Sequence, residues 1–500
     1  MSTRLVAHSR LALREAHAAG VLDDGAYAEA VVLMDELGVV DGAPIVVDGD
    51  EWVAVVQGWL DRMPRRYAAS TRRRYAQHAL RLFEHLRSEG LTFADVDAVL
   101  LEGWAQRRQR GRSGSSWTQE EHALMGLFEW LASPDNPDRL FEVSPWPLWR
   151  SGTRVISRLA ARRPSLSRRV RMLDDVEWCW FRNIGLAGRS AVPEVLPPRF
   201  PQRDVVFGDL LVTTGLRLNE ARLVLIDEIP QPDARQQRQP WPDTMLFAGG
   251  ARAKTRGGWV PFVGEVGDRI WDWWESPARQ AIVEAAQPAL RRRRDAGLLF
   301  VVEETVTDRG RLTFAGRWLG AEVCWTADLL PAEPAAAAVR LQDARVVPLT
   351  IWQTDANGGQ PMSASAWRAL FAEATVRVAD TGGHPLGGDV LRWRRQPDGS
   401  SRPVGGISPH MLRHTAAVNW LVELTLESRR RAGVRQPVRH HNLPSAGPFD
   451  PMFYVRTWLR HVTVDTTLQY QTWVHRQDWP EGRQLGAGVA GLVADRDPAR

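Results

Sequence analysis

Ser408-Pro409-His410-Met411-Leu412-Arg413-His414-Thr415 opens a helix and sets chemistry on its first turns. Ser408 serves as N-cap, and Pro409 suits the first helical position, where a backbone N–H is not needed. His410 and Arg413 stand at i and i+3, on one helix face. Orphan backbone N–H groups, the helix dipole and a guanidinium all favour an anion at such a place, a phosphate above all. Two residues on a plain amphipathic surface helix have the same spacing, so the stretch must be read with its neighbours.

Upstream, an apolar helical run (Val205, Val206, Phe207, Leu210, Leu211) stops at Gly215 within Thr213-Thr-Gly-Leu-Arg-Leu-Asn-Glu220. Arg217 follows the break, where its side chain is aimed by the backbone, and Glu220 three residues later can orient it. A structural salt bridge accounts for that pair equally well. Next, Met245-Leu-Phe-Ala and Trp259-Val-Pro-Phe-Val263 read as two strands around a Gly-flanked basic turn that holds Lys254 and Arg256. Downstream, Asp450-Pro451 opens a helix that ends near His461, and Thr463 or Asp465 can cap a short helix carrying Tyr470. Of the five tyrosines, Tyr27, Tyr67 and Tyr75 read as ordinary helix residues and Tyr454 as core.

Composition sharpens the reading. The chain has 500 residues, too many for one hydrophobic core, with 44% hydrophobic and 25% charged residues, as expected of a folded, multidomain protein. Among 64 basic residues only Lys254 is a lysine; every other one is arginine. An ammonium can surrender its proton and a guanidinium effectively cannot, so a lone lysine in a basic turn marks a candidate general acid. Cys179 and Cys324 stand far apart, which excludes a disulfide framework and a thiolate metal site. Neither a membrane span nor a signal peptide is legible, so the expectation is a cytoplasmic protein, nucleoid-associated when acting. A net charge of +5 permits a polyanion partner without demanding one.

Residues 1–47 read as a helical N-terminal extension, and 48–148 as an all-α module with a stripe of Tyr75, Ala79, Leu82, Phe83 and Leu86. Thr118-Gln-Glu-Glu121 forms a capping box that would open a further helix. Candidate nucleic-acid contacts in this module are Arg72, Arg73, Arg74, Arg107 and Arg108, although a charge run is also what a solvated face looks like. Residues 149–172 read as an arginine-rich linker, poor at packing and suited to phosphates through Arg154, Arg158, Arg162 and Arg163. Residues 173–485 form the second domain. Turn signals at Asn357-Gly358-Gly359, Gly382-Gly383 and Gly387-Gly388 make 305–400 look like inserted material, and 486–500 is a tail.

Taken in order, Thr-Gly-Leu-Arg-x-x-Glu, a lysine in a basic hairpin, His-x-Leu-Arg-His-Thr, and His followed nine residues later by Tyr resemble the tyrosine recombinase (phage integrase) family. The resemblance covers roughly residues 48–480. It implies an all-α SAM-like core-binding domain joined to a mixed α/β catalytic domain, mainly helical with a small antiparallel sheet, closing as a clamp on duplex DNA. It implies a site-specific integrase of a phage or mobile element, acting on a specific recombination site as a homotetramer, with an accessory directionality protein as a further partner. The catalytic set it implies is Arg217, Lys254, His410, Arg413, His461 and Tyr470. Tyr470 would form a 3′-phosphotyrosyl link that conserves the bond energy, with no cofactor, metal or ATP. Arg217 and Arg413 would hold the non-bridging oxygens, Lys254 would protonate the leaving 5′-oxygen, His410 would assist proton transfer and His461 would hydrogen-bond the phosphate. Glu220 would orient Arg217.

Two departures from the family pattern stand out. Lys254-Thr-Arg256 is followed by Gly257-Gly258-Trp259 before Val260-Pro261, a two-residue lengthening, and Leu459-Arg460-His461 has arginine where the family often has glycine. Other readings are a type IB topoisomerase-like strand transferase, a telomere resolvase, a non-catalytic architectural DNA-binding protein and a metal-dependent nuclease. The last lacks an ordered carboxylate cluster in the sequence. A binding protein would have no use for a nucleophile together with a titratable acid.

Overall fold

The apolar runs Leu5-Val6 and Ile45-Val46-Val47 decide how the chain begins. In the computed structural model, strand β1 (Thr3–Ala7) pairs antiparallel with β2 (Pro44–Asp48), from Thr3 opposite Asp48 to Ala7 opposite Pro44, and β3 (Glu51–Trp52) lies beside β2. The structure describes residues 3–7, 13–14, 16–17, 20–36, 44–48, 51–63, 67, 69–109, 114–151, 154–157, 159, 171–189, 197–231, 244–250, 252, 257–308, 311–381, 391–395, 401–431, 450–461, 467 and 470. The chain divides into two units, Met1–Arg168 and Arg169–Arg500.

In the first unit, helix α1 (Asp24–Glu36) follows β1, so the helical reading of 1–47 is corrected to a strand, a helix and a strand. Val46 is fully buried in the same core as the helices that follow, which makes this segment part of the unit and not an extension of it. Those helices are α2 (Ala54–Arg62), α3 (Ala69–Ser88), α4 (Ala98–Gln109) and α5 (Gly114–Leu131). The expected stripe of α3 buries Ala79, Leu82 and Leu86, and α5 buries Leu124, Leu127, Phe128 and Leu131. Helix α5 starts at Gly114, one turn before the expected capping box, so Glu120 lies inside the helix and buried. Burial of that carboxylate is compensated by Arg108, whose Nε and Nη2 each donate to it at 2.7 Å.

The expected linker 149–172 begins as folded material. Strands β4 (Leu148–Ser151) and β5 (Arg154–Ser157) form a hairpin, and Leu159 is buried in the first core. Trp117 Nε1 donates to the Leu159 carbonyl at 2.7 Å and Gln109 Nε2 does so at 3.1 Å. Two side-chain donors on one carbonyl fix the chain's path, which sequence charge alone cannot show.

The second unit is mostly helical with small sheets. Helix α6 (Asp175–Trp180) begins with an Asp174–Glu177 capping box and continues as a wider turn to Leu186. Helix α7 (Pro201–Thr214) is central to the core and buries the charged Asp209 completely, paired with Arg182 at 2.7 Å and Arg269 at 3.0 Å. Gly215 caps α7 in the left-handed region (φ 57°), and a Cβ there would meet Trp420 at 2.9 Å. The one-turn helix α8 (Leu218–Ala221) follows, then the hairpin of β6 (Thr244–Ala248) and β7 (Gly258–Phe262), and helices α9 (Gly264–Glu275) and α10 (Pro277–Asp295).

A five-stranded sheet comes next, built from β8 (Phe300–Asp308), β9 (Arg311–Trp318), β10 (Ala321–Thr326), β11 (Ala338–Gln342) and β12 (Arg345–Pro348), with helix α11 (Ala332–Ala336) between β10 and β11. Its order is β10-β9-β8-β11-β12, antiparallel except for the β8–β11 pair, so the expected small antiparallel sheet is larger and mixed. Helix α12 (Ala364–Asp380), the hairpin β13 (Leu391–Arg395) and β14 (Ser401–Gly405), and helices α13 (Pro409–Arg431) and α14 (Pro451–Leu459) complete the described elements.

The reading of 305–400 as inserted material is corrected. Phe314, Ile351, Trp352, Trp367 and Phe371 lie in the main core, and Trp367 stacks on Phe207 of α7 with centroids 3.6 Å apart. Trp352 Nε1 donates to the Ala221 carbonyl at 2.8 Å, so this segment braces the turn that carries Arg217. The glycine-rich turns that suggested an insertion lie between core elements or, for 382–383 and 387–388, outside the described residues. Among the described residues no helix is long and apolar enough to cross a membrane.

Candidate active site

Three stretches far apart in sequence, around Arg217, Arg413 and Leu459 to Tyr470, meet at the first turns of α13. The Gly215 break turns the chain so that Arg217 becomes the N-cap of α8, with extended backbone (φ −71°, ψ 149°). Its backbone N–H donates to Glu220 Oε2 at 2.8 Å and its Nη1 to Glu220 Oε1 at 3.0 Å. The Arg217 side chain keeps 24% of its surface exposed, whereas that of Glu220 is 3% exposed. Glu220 works against the cost of burial; the surrounding Arg460 and Arg217 guanidiniums hold its carboxyl below the usual range.

Arg413 is almost completely buried, yet its partners are neutral. Nη1 donates to the Gly215 carbonyl and Nη2 to the Leu459 carbonyl. The guanidinium thereby ties the end of α7 to the end of α14 and leaves further N–H groups of its fork for another acceptor. Burial first, and Arg217 beside it second, lower its pKa to about 9. The helix that carries it is held on α7 through Trp420 Nε1, which donates to the Thr213 carbonyl at 3.0 Å.

His410 stands exposed one turn before Arg413. Partial enclosure, then the nearby Arg413 and Arg217 cations, keep its pKa below the ordinary histidine value. Its ring meets that of His414 edge to face, centroids 4.4 Å apart. His414 in turn contacts Tyr470: Nδ1 lies 2.8 Å from the phenolic oxygen. His461 lies nearly parallel to the tyrosine ring (15°, centroids 6.1 Å) and its Nδ1 is 3.0 Å from Thr467 Oγ1.

The electrostatics of the cluster follow from burial among cations. His461 is lowered to about 4, by burial and then by Arg413, Arg217 and His410. His414 is lowered to about 3, by burial and then by His410, Arg413 and His461. Tyr470 is 1% exposed, and burial raises its pKa to about 12 although Arg413 and Arg217 pull the other way. Both rings are therefore neutral near pH 7, and the phenol is held as a neutral hydroxyl. The arrangement offers an anion two guanidiniums and offers a nucleophile two neutral imidazoles.

Arg217, Glu220, His410, Arg413, His461 and Tyr470 are thus brought together. Lys254 and Arg256 lie outside the described residues, but the strands that flank their turn are placed, with Ala248 opposite Gly258 and Arg252 folded inward on Glu228 (Nη1 to Oε2 2.7 Å). Arg158, Arg162 and Arg163 also lie outside the described residues, and of Arg154 only the backbone, in β5, is placed. In the first unit Arg73 and Arg74 are exposed on α3 and Arg107 on α4. Arg72 is buried and donates to the Met63 carbonyl at 3.1 Å, and Arg108 is paired with Glu120, so both have internal roles.

Two residues join the cluster that sequence reasoning did not place there. His414 sits at i+4 from His410, a spacing that was legible as one helix face. Arg460, at the end of α14, has φ 54° and donates through Nη2 to Glu220; no local pattern announces a partner 240 residues away.

No protein-family model and no curated relative matches the chain. Among solved structures it is similar to XerH site-specific recombinase bound to difH substrate in a pre-cleavage complex, with 12% identity over 93% of this chain and 95% of that one, at a TM-score of 0.40. It is also similar to the Tn1549 transposon integrase in complex with circular intermediate DNA, with 12% identity over 83% of this chain and 94% of that one, again at a TM-score of 0.40. The first of these neighbours is a site-specific recombinase and the second a transposon integrase.

Proposed function

We propose that this chain is a site-specific DNA recombinase that cleaves and rejoins DNA through Tyr470. The observation that carries the reading is the convergence of a buried tyrosine hydroxyl, two guanidiniums and three imidazoles from segments spread over more than half the chain. A fold has no structural need to gather so many cationic and titratable groups around one phenol.

In the proposed reaction the Tyr470 oxygen attacks a scissile phosphorus, forming the phosphotyrosyl bond while the bond to the 5′-oxygen breaks. The phenolic proton passes to a neighbouring imidazole and Lys254 protonates the departing oxygen. Arg217 and Arg413 take the non-bridging oxygens, where charge builds in the transition state. His410 assists proton transfer and His461 hydrogen-bonds the phosphate. Attack on the phosphotyrosine by a 5′-hydroxyl of a partner duplex reverses these steps, so neither ATP nor a metal is consumed. Double-stranded DNA with a recombination site is the substrate, and strand exchange between two duplexes calls for a tetramer of this chain. The first unit would supply a core-binding surface through Arg73, Arg74 and Arg107, and the segment 149–172 would lie along phosphates.

The test uses the full-length protein and a nicked suicide duplex whose site is selected from a random-sequence duplex pool. A covalent protein–DNA adduct is expected with the native chain and none with Tyr470→Phe. Adduct formation unchanged by that substitution would overturn the reading.

A further inference from the structure

Arg460 occupies a backbone conformation that suits glycine, φ 54° at the C-terminal cap of α14. Left-handed backbone is disfavoured for a residue with a Cβ, so an arginine there is offset by what its side chain does. That side chain is 6% exposed and reaches across the cluster to Glu220, donating from Nη2 to Oε2. Its stem passes Gly258, the first residue of β7, where an added Cβ would meet Arg460 Cδ at 3.4 Å. Arg460 therefore lies between the segment leading to Tyr470, the base of the hairpin and the Arg217 turn.

Glu220 is the shared anion. Oε1 accepts from Arg217 Nη1 at 3.0 Å, while Oε2 accepts from the Arg217 backbone N–H at 2.8 Å and also from Arg460. A buried carboxylate facing Arg217 alone would cancel the charge that Arg217 offers to an anion. Dividing the same carboxylate between two guanidiniums leaves one net positive charge at the pair, and the Arg217 fork remains aimed.

We propose that Arg460 is a positioning residue for DNA cleavage, which shares Glu220 with Arg217 and so keeps the Arg217 guanidinium both oriented and electrostatically available to the scissile phosphate. This inference rests on the recombinase reading above.

The experiment is single-turnover cleavage of the suicide duplex at saturating protein by full-length Arg460→Gly, Arg460→Lys, Glu220→Gln and the Arg460→Gly/Glu220→Gln double variant. Glycine suits the backbone, so the first variant removes the side chain without adding strain. Arg460→Gly is expected to slow cleavage about 10- to 100-fold with unchanged DNA affinity, the scale of a misplaced catalytic group. Arg460→Lys is expected to recover part of the rate. The decisive readout is the double variant, which should cleave faster than Arg460→Gly because the surplus carboxylate charge is gone; a purely structural arginine gives a double variant no better than the single. A native rate for Arg460→Gly, or a double variant slower than it, overturns the proposal. If Arg460→Gly does not fold, Arg460→Gln keeps the bulk without the charge and takes its place in the same comparison. No adduct with the native chain would instead overturn the recombinase reading and this inference with it.

Discussion

His414 Nδ1 and the Tyr470 hydroxyl lie 2.8 Å apart, which joins the second turn of α13 to the short segment after His461. Because burial among Arg413, His410 and His461 keeps the imidazole neutral, Nδ1 can accept the phenolic hydrogen, and the phenol stays protonated. The contact places the hydroxyl, and in the proposed reaction it would make His414 the first acceptor for its proton.

His414→Ala is accordingly expected to slow adduct formation about 10-fold or more, within the range for losing a positioned proton acceptor. His414→Asn, whose side-chain oxygen offers an acceptor near the Nδ1 position, should recover part of that loss. Single-turnover cleavage at constant protein concentration is the measurement, and equal rates for both variants would show that the hydrogen bond has no part in the reaction.

Two of the depressed histidines, His461 and His414, link folding to pH most strongly. Their folded pKa values, about 4 for His461 and about 3 for His414, lie below the ordinary 6.5, so the unfolded chain binds protons that the folded chain does not. Their stabilising contribution is present in full above pH 6.5 and is lost as pH falls from 6.5 toward 4, continuing toward 3 for His414. Each can contribute a slope of at most about 1.4 kcal/mol per pH unit in that window. Denaturant titrations at about pH 7 and about pH 5 should show a smaller difference for His414→Gln than for the native chain, a comparison in which the buried aspartates cancel.

Two arginines of the first unit should behave differently. Arg108→Ala takes the two 2.7 Å donors from Glu120, whose side chain is 2% exposed and whose carboxyl is lowered to about 2 against the cost of burial, by hydrogen bonds from His78 and Arg108. Its removal should destabilise the unit by about 3–5 kcal/mol, read as a lower denaturation midpoint. Arg73→Ala, on an exposed position of α3, should leave that midpoint unchanged. It should instead weaken DNA binding with a salt slope shallower by about 0.9, provided Arg73 meets one phosphate.

Lys254 falls in sequence between Ala248 and Gly258, which pair at the ends of β6 and β7. Lys254→Arg keeps the charge but removes a group able to give up a proton. Cleavage of an ordinary 5′-oxygen substrate should fall far more than cleavage of its 5′-sulfur analogue, whose leaving group needs no proton, with DNA binding retained. Equal slowing on both substrates would place the lysine outside proton transfer.

Much of the cluster was legible because its parts are local. The Ser408-Pro409 cap, the i, i+3 pairing of His410 with Arg413, the Gly215 break before Arg217 and the strands around Lys254 all depend on a few neighbouring residues whose conformational preferences are strong. The α3 stripe was legible for the same reason. The glycine-rich turns near 357 misled because they separate core elements as readily as they bound an insertion, and the cationic run after Arg150 hid a hairpin whose closing contact is a carbonyl at Leu159.

The sequence by itself determined which chemical groups the chain possesses and on which local elements they ride, since caps, periodicity and residue type act over a few positions. Tertiary structure alone decided who meets whom: His414 with Tyr470 across 56 positions, and Arg460 with Glu220 across 240. Such pairings, and the pKa values they set, arise from burial shared between distant segments, and burial is a property of the packed core that no single segment carries.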